Sequence, residues 1–181
     1  MSQENSKEIR STVTSEGNIE ISIKTAEKPV PKENEVLIKV GAAPINPSDL
    51  GLLISFAANL DSLEVSGSGD NTVAKMKIHE GLMKTMKPRL DISMQVGNEG
   101  GGIIESAGSG SEGLIGKTVG VAGGAMYSQY RCVPASSCLV MSDDTSSAEA
   151  ASSFVNPFIN HFLSTIIKTA NKLSVLKSRS C

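Results

Sequence analysis

Gly97-Asn98-Glu99-Gly100-Gly101-Gly102, followed by Ile103-Ile104-Glu105, is the stretch on which the reading of the fold turns. Three consecutive glycines cannot be the interior of a helix, where each costs about 1 kcal/mol relative to alanine. They suit a place where the backbone turns tightly or lets something approach closely. The expectation is a loop that carries Asn98 and Glu99 into a cleft, followed by a strand over 102–107.

Outward from this point the chain is strand-rich. Ile19-Glu20-Ile21-Ser22-Ile23 alternates with period two, as does Glu35 to Ala43, with Val36, Ile38 and Val40 on one face. Pro44 ends the second run. Strands are also expected over 72–78, 118–122, 125–133 and 138–141. Residues 1–11 read as a flexible lead-in. Ser48-Asp49 precedes an expected short helix over 50–56 and offers capping groups. A second short helix is expected over 79–86, in which Met83 and Met86 serve packing and His79 is a surface or capping residue. Ser146 and Glu149 have capping-box spacing and open a helix through about Phe154.

Two motifs are rejected on context. Gly108-Ser-Gly-Ser-Glu-Gly113 spells G-x-G-x-x-G, yet a dinucleotide loop must lead into a helix whose N-terminus holds the pyrophosphate. Here a strand comes next, so a hairpin loop is the better reading. Gly116-Lys-Thr118 lacks the upstream glycine of a phosphate-binding loop, since position 111 is Ser111.

The chain has 181 residues, enough for one domain with a real core, and a net charge of −2. The absence of tryptophan and of any basic-aromatic interleaving argues against nucleic acid. The polar opening, Met1 to Glu8, is unlike a secretion signal, and no apolar run approaches the roughly 18 residues that span a bilayer. The expectation is a cytoplasmic protein with no membrane partner. Cys132, Cys138 and Cys181 match neither a disulfide framework nor a zinc site, and Cys132 and Cys138 read as reduced, structural thiols. Residues 159–173 carry Ile159, Phe162, Leu163, Ile166, Ile167, Ala170 and Leu173 at helical spacing. That apolar face seeks a core or a second copy of the chain, which leaves a homodimer open.

Gly97 to Gly102 resembles the Gly-His-Glu-Gly-x-Gly signature of the medium-chain dehydrogenase/reductase superfamily, with Asn98 at the histidine position. Pro31 to Leu53 is similar to the family's opening strand and first active-site loop, and Gly116 to Pro157 to the end of its GroES-like catalytic domain. Zinc-binding members carry cysteine where this chain has Asn46 and histidine where it has Asn98. Asparagine is a poor zinc ligand, so the resemblance points to the zinc-independent, quinone-oxidoreductase-like branch, and no metal is expected. The implied fold is mainly β: a GroES-like partly open barrel over 12–155 with short peripheral helices, then a C-terminal helical pair over 156–181.

The resemblance implies NADPH or NADH as cofactor and a small-molecule substrate, a quinone or an α,β-unsaturated carbonyl. It places Asn46, Asn98, Gly100 and Asn156 toward the cofactor, with Asn46, Glu99 and Tyr130 as candidates for the chemistry. Tyr127 and Tyr130 are the only tyrosines, and ordinary packing is the competing reading of either. Asn156-Pro157-Phe158-Ile159 departs from the family's Asn-Pro-x-Thr at the threonine that commonly faces the nicotinamide. The resemblance stops there, ahead of the Gly-rich loop, so a truncated, inactive domain and a self-associating binding module stand as alternatives to the enzyme.

Overall fold

A computed structural model describes residues 4–155. The expected helical pair over 156–181, and with it Asn156, Ile159 and Cys181, lies outside the described residues. The fold is mainly β and matches the partly open GroES-like arrangement expected. One sheet has the order β4 (Glu64–Ser66), β5 (Val73–Lys77), β2 (Asn18–Glu27), β1 (Asn5–Val13) and β6 (Ser93–Gln95). The other has the order β10 (Cys138–Val140), β8 (Thr118–Ala122), β7 (Glu99–Ala107), β3 (Glu35–Ala42) and β9 (Tyr130–Pro134). The ladders within both sheets are antiparallel.

The sheets are stitched together at β1. Ile9 N donates to Tyr127 O and Gln129 N to Lys7 O, and Glu8 bridges Ser128. These bonds curl two sheets into one open barrel and bury the edge of β1. Val36, Ile38, Ile104, Val119, Val121, Met126 and Val133 form the core of the second sheet. A second cluster, Val13, Ile19, Met76, Ile78 and Met86, lies under the irregular lobe of residues 54–90, and Met83 packs on it.

Residues 5–11 are not a flexible lead-in. They form most of β1, paired along its whole length with β2. The strand is hidden in the sequence because its inward residues are polar: Ser6, Glu8 and Ser11 are all buried. Burial also changes face along it, from Ser6 and Glu8 to Ser11 and Val13, because different parts of the fold cover its two ends. The helix expected over 79–86 is only a 3-10 turn, Glu80–Leu82, with His79 Nδ1 accepting from Gly81 N. The hairpin reading of 108–113 holds, since β7 and β8 pair across it.

Gly100 and Gly101 are inside β7 rather than in a loop, and the reason is close approach. Helix α2 (Ser147–Ala151) lies across β3, β7 and β8, and its bed is Gly41, Gly101 and Gly120, one from each strand. A Cβ on Gly101 would lie 2.5 Å from Ala151 N, and one on Gly120 would lie 2.5 Å from Ala150 O. The capping box of α2 is complete: Ser146 Oγ accepts from Glu149 N, and Glu149 Oε2 accepts from Ser146 N.

Gly101→Ala is expected to destabilise the fold by about 1–3 kcal/mol, because the added methyl meets helix backbone that no rotamer change can move. Gly51→Ala, in helix α1 (Leu50–Leu53) with open space around it, is expected to be neutral or to stabilise by up to about 1 kcal/mol. Urea unfolding of both variants checks the pair.

Candidate functional site

The loop of residues 44–49 and the turn of residues 97–98 meet at the open end of the second sheet. The turn depends on Gly97, which has φ +95°, and whose Cβ would stand 2.5 Å from the Tyr127 ring. Only glycine satisfies both demands. Beyond the turn, Asn98 O accepts from Gly123 N and Gly124 N, which ties it to the end of β8.

Asp49 joins the loop to the turn. It is 2% exposed. Its Oδ2 accepts from Asn46 N at 2.8 Å and its Oδ1 from Asn98 N at 2.8 Å. The sequence suggests a cap for helix α1, yet the side chain makes no capping bond there. Two backbone N–H groups from two loops use the carboxylate instead, and they offset part of the cost of burying it.

Glu99 is the second buried carboxylate, with no exposed surface. Its Oε1 accepts from Asn46 Nδ2 at 2.9 Å and its Oε2 from Val155 N at 2.9 Å. Asn46, 5% exposed, is thereby held at both ends: its backbone by Asp49 and its side chain by Glu99. Its amide oxygen accepts no hydrogen bond from the described residues. Asn98 Nδ2 donates to Ser48 Oγ at 3.0 Å.

The structure thus brings Asn46, Asn98 and Glu99 together. Gly100 adjoins them in β7, but it is buried, and a Cβ there would meet Met126 and Ala42 O at 3.0–3.1 Å. The close approach it allows is internal. Tyr130 is elsewhere, in β9, with Lys28 Nζ 4.2 Å from its ring centroid. Lys28 in turn pairs with Glu4 and Glu105, which push its pKa upward.

The tyrosine at the site is Tyr127, whose hydroxyl donates to Pro44 O at 3.0 Å. Burial, with the nearby Asp49 carboxylate, pushes its pKa up to about 12. The odd spacing between Tyr127 and Tyr130 puts them on opposite faces of an extended chain. That is the one signal in the sequence that only one of them can serve, and it does not say which. Beside Tyr127 lies an apolar hollow of about 300 Å³, lined by Ile9, Val40, Ala43, Ile45, Met126 and Ser128 as well.

Among the described residues no three His, Cys, Asp or Glu side chains form a metal-binding group, and no Gly-rich turn leads from a strand into an α-helix. Neither Asn46 nor Asn98 lines the hollow beside Tyr127. A pyrophosphate cradle is not supplied by residues 4–155.

No protein-family model and no curated protein sequence matches the chain. Solved structures do. A Mesorhizobium loti protein described as a candidate NADPH:quinone reductase aligns over 92% of this chain and 45% of its own, at 21% identity and TM-score 0.55. One from Bacillus thuringiensis, described likewise, aligns over 86% and 39%, at 22% identity and TM-score 0.58. A mycobacterial protein complexed with NADPH aligns over 87% and 39%, at 20% identity and TM-score 0.52. The chain spans less than half the length of these structures. The likenesses establish the fold, and the fold expected from the sequence resemblance is borne out.

Asp49→Ala leaves two backbone donors without their acceptor, at about 1–3 kcal/mol each. The variant is expected to unfold at lower urea, and its Asn46 and Asn98 amides to exchange hydrogen faster. Tyr127 gives a pH test. An unfolded phenol ionises near about 10, and the folded one near about 12. The folded state therefore holds the proton longer, so stability is expected to fall as pH rises from about 10 through about 12. Tyr127→Phe is expected to lose that slope in urea melts across the same range.

Proposed function

We propose that this chain is the catalytic-side domain of a zinc-independent, NADPH-dependent oxidoreductase that passes hydride to a quinone or an α,β-unsaturated carbonyl. The observation that carries the reading is the relay Asn46–Glu99–Val155. It ties the first cleft loop to the main chain just ahead of position 156, where the family resemblance puts the start of the nucleotide-binding part. The likeness in fold to a protein complexed with NADPH supports the same cofactor.

When bound, the reduced nicotinamide supplies the hydride. The chain's own residues orient and exclude water. With its amide nitrogen committed to Glu99, Asn46 has its oxygen as the remaining acceptor, in a fixed direction. The apolar hollow beside Tyr127 suits the flat, carbon-rich body of a quinone or enone. A neutral Tyr127 hydroxyl adds no charge there at physiological pH. Zinc has no role on this reading, because Asn46 and Asn98 stand where the zinc-binding members carry cysteine and histidine, and neutral carboxamides bind zinc poorly.

Calorimetric titration of the 181-residue chain with NADPH is the test. Saturable binding at micromolar cofactor is expected, followed by turnover with quinones and enones that a zinc chelator leaves unchanged. Asn46→Ala is expected to lower kcat/KM by about tenfold, the worth of one hydrogen bond of about 1.4 kcal/mol. No binding at millimolar cofactor would overturn the reading for this chain and leave a barrel domain without the activity.

A further inference from the structure

We propose that two copies of this chain pair edge to edge at β10, joining their second sheets into one continuous sheet about a two-fold axis at Val140. β10 is the outer strand of that sheet, and among the described residues it pairs with β8 alone. The inference is independent of the oxidoreductase reading.

The free edge follows from the register. Cys138, Leu139 and Val140 lie opposite Val121, Gly120 and Val119, and the next residue, Met141, donates its N–H to Thr118 O. Along an antiparallel pair the backbone groups of successive residues point alternately to either side. Leu139 and Met141 therefore turn theirs to β8, and Val140 turns its N–H and C=O outward. Neither group has a partner among the described residues. No bulge interrupts this ladder, and the strand carries neither charge nor proline, the devices that commonly guard an edge. Its side chains are uncovered on both faces: Leu139 is 44% exposed and Val140 45%. The other ends of the sheets differ. β9 is stitched to β1 through Gln129 N and Lys7 O, and β4 carries Glu64.

A second copy fits this edge because the pattern is its own complement. Antiparallel about Val140, each copy offers one N–H and one C=O at the same residue. The two Val140 residues then exchange two hydrogen bonds, as an isologous contact requires. Leu139 stands opposite Met141 of the other copy. On the opposite face the Val140 side chains meet and extend the apolar layer of Val119 and Val121. Asp143 and Asp144 fall beside Ser137 and Ser136 of the other copy, so like charges do not meet. The strand is three residues long. The contact is therefore small, and the dimer is of the weak, concentration-dependent kind.

The test is sedimentation equilibrium of the 181-residue chain from micromolar to millimolar protein, with amide hydrogen exchange followed across the same series. A monomer–dimer equilibrium is expected. The Val140 amide is expected to exchange severalfold more slowly at the top of the series, while the amides of β4 keep their rates. Val140→Pro removes the outward donor and leaves the ladder to β8 intact, and it is expected to weaken the dimer at least tenfold. Leu139→Lys keeps the backbone and puts a charge into the contact. It is expected to weaken the dimer severalfold, and it decides the matter alone if the proline variant does not fold. Three results would overturn the proposal. They are a monomer throughout the series, a dimer whose Val140 amide keeps its rate at every concentration, or a dimer that the variants leave at full strength, which would put the contact elsewhere on the chain.

Discussion

Glu99 is a carboxylate with no exposed surface at the first position of β7, and its burial constrains everything around it. A carboxyl group buried in that position is tolerated only when its oxygens are hydrogen-bonded. The two donors that serve it come from distant parts of the chain, Asn46 in the first cleft loop and Val155 just past helix α2. Both must be held in place. The first is held by Asp49, which closes its loop and grips Asn98 as well. The second is held by the seat of α2 on Gly41, Gly101 and Gly120, which lets helix backbone lie directly on sheet backbone. The glycine strand, the buried acid and the short helix are thus parts of one device.

The strand ladders and the polar loops answer different demands. Val36, Ile38, Ile104, Val119 and Val121 bury apolar surface and need only the right period and volume. The loops at 44–49 and 97–98 bury carboxylates and backbone donors, and each of those must find a partner. The interior between the two sheets near β1 is of the second kind. There Ser6 and Glu8 face inward, and Arg10 and Gln95 close on Glu8.

The same division separates what is legible in the sequence from what is not. Alternating apolar runs announce β2, β3 and β8, and the Ser146–Glu149 spacing announces α2, because those signals are local. β1 escapes an apolar template because three of its four buried residues, Ser6, Glu8 and Ser11, are polar and only Val13 is apolar. Gly101 reads as loop because the helix that needs it, Ser147–Ala151, lies too far along the chain for a local rule to operate. Asp49 looks like a cap because it precedes a helix, while its partners include an N–H far along the chain at Asn98. Asn46, Asn98 and Glu99 are legible as a group through the family resemblance. That the site tyrosine is Tyr127 is not, since the room for its ring is made by Gly97 from another segment.

Glu99 also sets how the cleft is coupled to the chain beyond α2. It spends one oxygen on the Asn46 side chain and the other on the Val155 backbone, so the direction of the cleft asparagine and the position of the chain leaving α2 are fixed by one rigid group. A shift of the main chain at Val155 would leave Glu99 with an unmet lone pair in a water-free place, and the least costly response is for the acid and Asn46 to move together. Because α2 cannot slide without striking sheet backbone, that movement has to occur after Ala151 rather than within the barrel. The chain leaving α2 is therefore held close to Asn46 at Val155.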